Sequence, residues 1–246
     1  MQKLRLRYAK RGRLRFSSHR DFQRSFERAL RRAGVPMAYS AGFTPHPKVS
    51  YAGAAPTGVA SEAEYVEIAV VERVEPERVR AALDASLPDG LDVLEVVEAA
   101  PGSLADRLTA SVWEIRLPGV SHTAAKAAAS EFLAADEVRV ERLTKNGVRA
   151  FDARSAVVEI STSGNDTTSP PAAGGGAPEY AILRVVVRHT TPAVRPDDVL
   201  AGLRRVADLA PPSPPAVTRL AQGPLDESTG AVADPLAPDR EAVGTA

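Results

Sequence analysis

Cysteine is absent from all 246 residues. That excludes disulfides, thiolate zinc sites, thiol nucleophiles and any iron–sulfur cluster held by this chain's own thiolates. No apolar run approaches the roughly 18 residues needed to cross a bilayer. The opening MQKLRLRYAKRGRLRF is charged and has no apolar stretch behind it, unlike a secretory signal, so a cytoplasmic protein without membrane contact is expected. Neither GxxxxGK[ST] nor GxGxxG occurs, which leaves no glycine loop of the kind that cradles a nucleotide phosphate. Acidic residues are scarce in one place. Residues 1–50 hold thirteen Lys and Arg but only Asp21 and Glu27, a net of +11; with 31 charges of each sign in the whole chain, the remainder carries −11. A formal net charge of zero therefore conceals two segments of opposite sign, and the basic one points to a polyanion.

The residues that are present follow clear periods. Gln2 to Tyr8 alternates, with Leu4, Leu6 and Tyr8 on one side and Lys3, Arg5 and Arg7 on the other. Period two predicts a half-buried strand with a cationic outer face. A turn and a short return strand, Leu14 to Phe16, follow. Ser18 stands as an N-cap with Asp21 in the capping-box position. Phe22, Phe26, Ala29, Leu30 and Ala33 then mark one apolar helix face, while Arg20, Arg24, Arg28 and Arg31 mark another. Gly34 and Val35-Pro36 end that helix.

Strands are expected at 48–52, 64–71 and 91–97, with a helix over 76–87, which gives the β-α-β-β-α-β order of a ferredoxin-like unit. The order repeats downstream: strand 112–117, helix 123–135, strand 137–143, strand from 156, strand 179–188, helix 196–206 and strand 215–220. The expected fold class is α+β, with two tandem ferredoxin-like units over 1–100 and 101–222. A Gly/Pro-rich stretch at 161–178 reads as a flexible insertion, and 223–246, which lacks periodicity, as a disordered tail.

Four histidines are candidates for chemistry. His122 and His189 have no acidic or imidazole neighbour in sequence and read as structural. His19 opens the basic helix near Asp21, but i, i+2 spacing points the two side chains apart, so no metal site is expected. His46 is fixed between Pro45 and Pro47, in a loop where Gly42 and Gly58 mark positions of close approach or positive φ. His19 and His46 are the two weak candidates for acid–base work. Aromatic residues are also gathered early: eight of the eleven Phe and Tyr precede residue 66. Rings beside cations are the pattern of nucleic-acid binding, in which bases stack and phosphates are neutralised. The candidate contact set is Arg5, Arg7, Arg13, Arg15, Arg20, Arg24, Arg28, Tyr39, Phe43, His46 and Lys48.

RLRFSSH at Arg13 to His19, FERALRRAG at Phe26 to Gly34, YSAGFTPHPK at Tyr39 to Lys48 and GVASEAEY at Gly58 to Tyr65 resemble one family. It is the bacterial radical-SAM-linked domain family, whose activity is not established. The resemblance is specific over about residues 1–70 and looser to about 220. It implies a separate radical SAM protein as partner, with S-adenosylmethionine and an iron–sulfur cluster in that chain and no cofactor in this one. It supplies no catalytic residues. The function expected is that of a non-catalytic accessory module binding RNA of the tRNA or ribosomal class. Two other readings stay open: a metal-independent RNA-processing enzyme using His19 and His46, and an interaction subunit whose arginine helix docks on an acidic partner.

Overall fold

A computed structural model describes residues 1–145, 147–165 and 179–244. Alternation in the first strand, β1 (Gln2–Lys10), sends Leu4, Leu6 and Tyr8 into a core. The amphipathic helix α1 (His19–Arg32) adds Phe22, Phe26, Ala29 and Leu30 to the same core. β2 (Val49–Ala52), β3 (Ala60–Val70), α2 (Pro76–Asp84) and β4 (Leu91–Glu98) follow. All pairings are antiparallel, β1 with β3 and β4, and β2 with β3. The lateral order β4-β1-β3-β2 is that of a ferredoxin-like unit. Between β1 and α1 the expected return strand is instead a 3-10 turn over Gly12–Phe16. The chain divides into two compact units, the first being Met1–Leu108 with Ala221–Pro224 and Ala233–Ala246. It therefore includes the short helix α3 (Leu104–Arg107).

The second unit comprises Thr109–Leu220 and Leu225–Val232. Its elements are β5 (Ala110–Pro118), α4 (His122–Ala134), β6 (Arg139–Thr144), β7 (Gly147–Asp152), β8 (Val157–Asn165), β9 (Tyr180–Arg188), α5 (Pro196–Ala207) and the strand β10 (Ala216–Gly223), whose last residues belong to the first unit. The order β10-β5-β9-β8 repeats the first unit's arrangement. The alternating stretch expected at 137–143 is not part of this sheet. It forms β6, which pairs only with β7 in a separate two-stranded ribbon, and β8 takes the place beside β9. Of the insertion expected at 161–178, the residues through Asn165 continue β8, and 166–178 lie outside the described residues. Among the described residues no helix is long and apolar enough to cross a membrane.

The C-terminal segment expected to be disordered is folded through Gly244. Leu225 and Val232 form an isolated bridge in the second unit. In the first unit the segment ends in a helix, α6 (Ala237–Gly244), preceded by Leu236, which is fully buried beside Ala63, Tyr65, Val97, Leu104 and Leu108. The segment has no hydrophobic period because its buried apolar residues are the adjacent Pro235 and Leu236, and its other ties are polar and ionic. Asp239 is 0% exposed and accepts from Arg5 Nη1 at 2.7 Å, Arg107 Nη1 at 2.8 Å and the Ala100 amide at 2.8 Å. Arg240 reaches Glu95 at 2.6 Å.

Arg5 sits under this segment at 1% exposure. Its Nε donates to Glu67 at 2.9 Å, and its remaining nitrogen donates to the Gly102 carbonyl. Register explains the first pairing, since Arg5 lies directly across from Glu67 on β3. Glu67 also takes a hydrogen bond from Lys3 at 2.8 Å. Burial alone would raise the Glu67 pKa, but the bonds from Lys3 and Arg5 outweigh it and hold the carboxyl below its ordinary value.

Removing one partner of a buried guanidinium is costly because the other charge is left desolvated. Asp239→Ala is expected to lower the unfolding free energy by about 3–5 kcal/mol in urea titrations, and a loss below about 1 kcal/mol would contradict the burial described. A lowered folded-state pKa makes the stability from Glu67 complete above the ordinary carboxylate range and lost as pH falls through the folded value. Glu67→Gln should accordingly flatten the acid limb of the stability curve between pH 5 and pH 3, measured by the same titration.

Candidate nucleic-acid interface

Helix α1 begins where the side chain of Ser18 accepts a hydrogen bond from the Asp21 amide at 3.2 Å. Ser18 Oγ also donates to the Asp21 carboxylate at 2.6 Å. This bond first, and then the charges of Arg24 and Arg20, holds the Asp21 carboxyl below its ordinary pKa. The buried face is aromatic: Phe22 stacks on Tyr8 with centroids 4.5 Å apart and on Phe26 at 5.6 Å. At about 100° per residue, Arg20, Arg24, Arg28 and Arg31 lie roughly opposite that face, so all four point outward. They are exposed. Arg31 approaches Glu27 at 3.7 Å. Arg20, Arg24 and Arg28 form no ion pair or hydrogen bond among the described residues. Asp21 and Glu27 share the shallow depression lined by Arg24, Arg28 and Arg31, so five arginines face two carboxylates along this helix.

The strand cations behave differently. Arg5, expected on an open cationic face, is buried and neutralised by Glu67 and Asp239 and is unavailable to a ligand. The helix-free side of β1 is closed by α3 and the C-terminal segment, which a strand period cannot disclose. Arg7 is half-buried and donates from Nε to the Glu62 carbonyl at 2.9 Å, so its charge is not displayed either. Arg11 is bound by Glu62 and by Asp92, the latter at 2.6 Å. On the 3-10 turn Arg13 is exposed, while Arg15 is half-buried with its guanidinium 4.7 Å over the Phe16 ring. The buried Nε of Arg15 has no hydrogen-bond partner among the described residues.

Phe16 was not in the contact set expected from sequence, yet it is 60% exposed. The sequence pattern places it on a short return strand; it ends the 3-10 turn instead, with its ring in solvent. Gly58, with φ of +91°, donates its amide to the Arg15 carbonyl at 2.7 Å and lies beside the Phe16 ring. It therefore supports this turn and not the Tyr39–Lys48 loop.

That loop leaves the C-terminal end of α1 at the end of β3, where the Ala38 amide donates to Ala69 O at 2.8 Å. Its neck is closed by a Tyr39–Pro47 bridge, by Ser40 N donating to His46 O at 2.8 Å, and by His46 N donating to Ser40 Oγ at 3.0 Å. Gly42 takes φ of +123°, a value L side chains resist. Beyond it Phe43 is 109% exposed, Tyr39 is 50% exposed, and Pro45, His46 and Lys48 are exposed. The Lys48 ammonium approaches Met1 Sδ at 4.0 Å.

No hydrogen bond or ring contact joins His19 to His46 among the described residues. The His19 ring meets Tyr51 edge-on at 5.1 Å, and its Nε2 lies 3.0 Å from Gln23 Nε2. His122 reaches Thr162 Oγ1 at 3.1 Å and His189 reaches Ser111 Oγ at 2.8 Å, both within the second unit. Among the described residues no three His, Asp or Glu side chains are grouped as a metal site would require.

A family model described as an uncharacterized protein conserved in bacteria (DUF2344) matches residues 3–196. No curated protein matches the chain.

Tyr51 completes the aromatic packing edge-on to Phe22 and Phe26 at 5.8 and 6.3 Å. Burial, and then the charge of Glu27, raises its pKa above the ordinary tyrosine value. Its hydroxyl is buried without a hydrogen-bond partner among the described residues. An unsatisfied buried donor is a net cost, so Tyr51→Phe should leave stability unchanged or raise it by up to about 1 kcal/mol in urea titrations. A loss of more than about 1 kcal/mol would mean that the hydroxyl is bonded in solution.

Proposed function

Because the chain belongs to this bacterial family, whose description carries no activity, we propose a role argued from its surface: a non-catalytic module that binds RNA through the arginine face of α1 and the loop beyond it. The observation that carries the reading is the outward row of Arg20, Arg24 and Arg28, unpaired among the described residues. Elsewhere in this segment carboxylates have been placed on the cations: Lys3 has one, and Arg5 and Arg11 have two each. With five arginines against Asp21 and Glu27, the helix keeps a local positive potential that a polyphosphate backbone can neutralise. Tyr39, Phe43, His46 and Lys48 extend the surface with exposed rings and one further cation.

The module is further proposed to act beside a separate radical SAM protein, with the RNA of the tRNA or ribosomal class. The sequence resemblance supports that pairing. So does the cysteine-free composition, since a thiolate-held cluster then belongs to another polypeptide. An acid–base pair of His19 and His46 is disfavoured because neither ring contacts the other among the described residues. Docking of the arginine helix on an acidic protein remains the competing reading.

Fluorescence anisotropy with labelled tRNA at increasing salt tests the proposal. The wild type should bind with a linear log–log salt dependence, and the Arg20→Gln/Arg24→Gln/Arg28→Gln triple variant should reduce the slope by about 2, from roughly 0.7 to 0.9 per phosphate contact. Binding that is absent, or insensitive to both salt and the triple variant, would reject RNA as the ligand. Co-purification with the radical SAM partner that survives ribonuclease but not the triple variant would favour the protein-docking reading.

A further inference from the structure

The segments that enter and follow the arginine helix carry exposed rings. At its N-terminal end the turn leading into α1 presents Phe16, with the Arg15 guanidinium over one face of the ring. At its C-terminal end the clamped loop presents Phe43 and, closer to the sheet, Tyr39. Between them α1 is 14 residues long, about 21 Å. Arginines four residues apart advance by about 6 Å, the scale of one nucleotide step in an extended strand.

A duplex makes poor use of such a surface. Its bases are already stacked on each other, and the deep major groove of an A-form helix does not admit side chains, so three exposed rings would meet only backbone and solvent. A single strand supplies both components: phosphates for the arginines and free base faces for the rings. The alternative stacking platform in a ferredoxin-like unit, the helix-free face of the sheet, is closed here. Tyr65 on that face is 3% exposed and packs with Leu236, and Arg5 is covered by Asp239. Backbone clamps on the Phe43 loop reduce the ordering that binding would otherwise require.

We infer that the ligand of this surface is an unpaired RNA segment of about five or six nucleotides, its phosphates along Arg20, Arg24 and Arg28 and its terminal bases stacked on Phe16 and Phe43; this rests on the RNA-binding reading given above. The segment binds by charge and stacking, so it is read with little sequence preference.

The test uses the full chain with a fluorescein-labelled U12 oligonucleotide and with a labelled 12-base-pair RNA duplex. Single strand is expected to bind at least tenfold tighter than duplex. Phe43→Ala and Phe16→Ala should each weaken single-strand binding by about tenfold without changing the salt slope, since neither ring carries charge; both side chains are exposed, and thermal melts should be unaltered. Shortening the oligonucleotide should cost little until about six nucleotides and then sharply more. Equal binding of duplex and single strand, each with a normal salt slope, would overturn the single-strand assignment while leaving RNA binding intact. Loss of neither ring mattering would overturn it as well. Failure of both RNAs to bind would overturn the RNA reading itself.

Discussion

A guanidinium with five donors and no acceptor can be buried only if the protein surrounds it with oxygen. Arg5 meets that requirement with Glu67, Asp239 and the Gly102 carbonyl. Glu67 is its direct neighbour across two strands, but Asp239 comes from 234 residues away in the chain. Much of the first unit follows from this one residue. The C-terminal segment folds back onto the helix-free side of β1, Leu236 closes over Tyr65, and Arg107 on α3 is drawn to the same carboxylate. A face that strand alternation displays as cationic becomes a covered ionic layer.

That covering separates two kinds of positive charge in a segment whose total is +11. On the strand and at the start of the turn after it, Lys3, Arg5 and Arg11 meet carboxylates and are neutralised. On α1 the outward direction leads to solvent, and apart from Glu27 and Asp21 nothing answers Arg20, Arg24, Arg28 and Arg31. Net charge by itself therefore overstates the ligand surface. The displayed charge is that of one helix face plus Arg13, Arg32 and Lys48, bordered by rings that are too exposed to serve the core.

Periodicity carried most of the fold. β1, α1 with its Ser18 cap, β3 and β9 bury long, regular faces, and regular burial leaves a regular pattern. Elements without such a face escaped. The β6–β7 ribbon alternates like a sheet strand but pairs only with itself, since alternation reports a two-faced strand and not its neighbours. α6 is anchored by the adjacent Pro235 and Leu236 and by an aspartate. The return strand expected at Leu14 to Phe16 is a 3-10 turn, because alternating apolar and basic residues over so short a stretch do not distinguish the two. Of the site residues, the helix arginines and the loop at Tyr39–Lys48 were legible because helix period and prolines act locally. Arg5 and Arg7 were misread because their partners are remote.

The amino-acid order alone determined that this chain holds no thiolate cofactor, that it builds two β-α-β-β-α-β units, and that its basic residues gather in the first fifty positions. These follow from residue chemistry and from short-range spacing, which need no knowledge of what packs where. Tertiary structure decided which of those cations stay in solvent, which meet a carboxylate, and that the segment around Leu236 and Asp239 closes a sheet face. Each of these depends on contacts between segments far apart in sequence, and a carboxylate neutralises a guanidinium by its distance in space, whatever their separation along the chain.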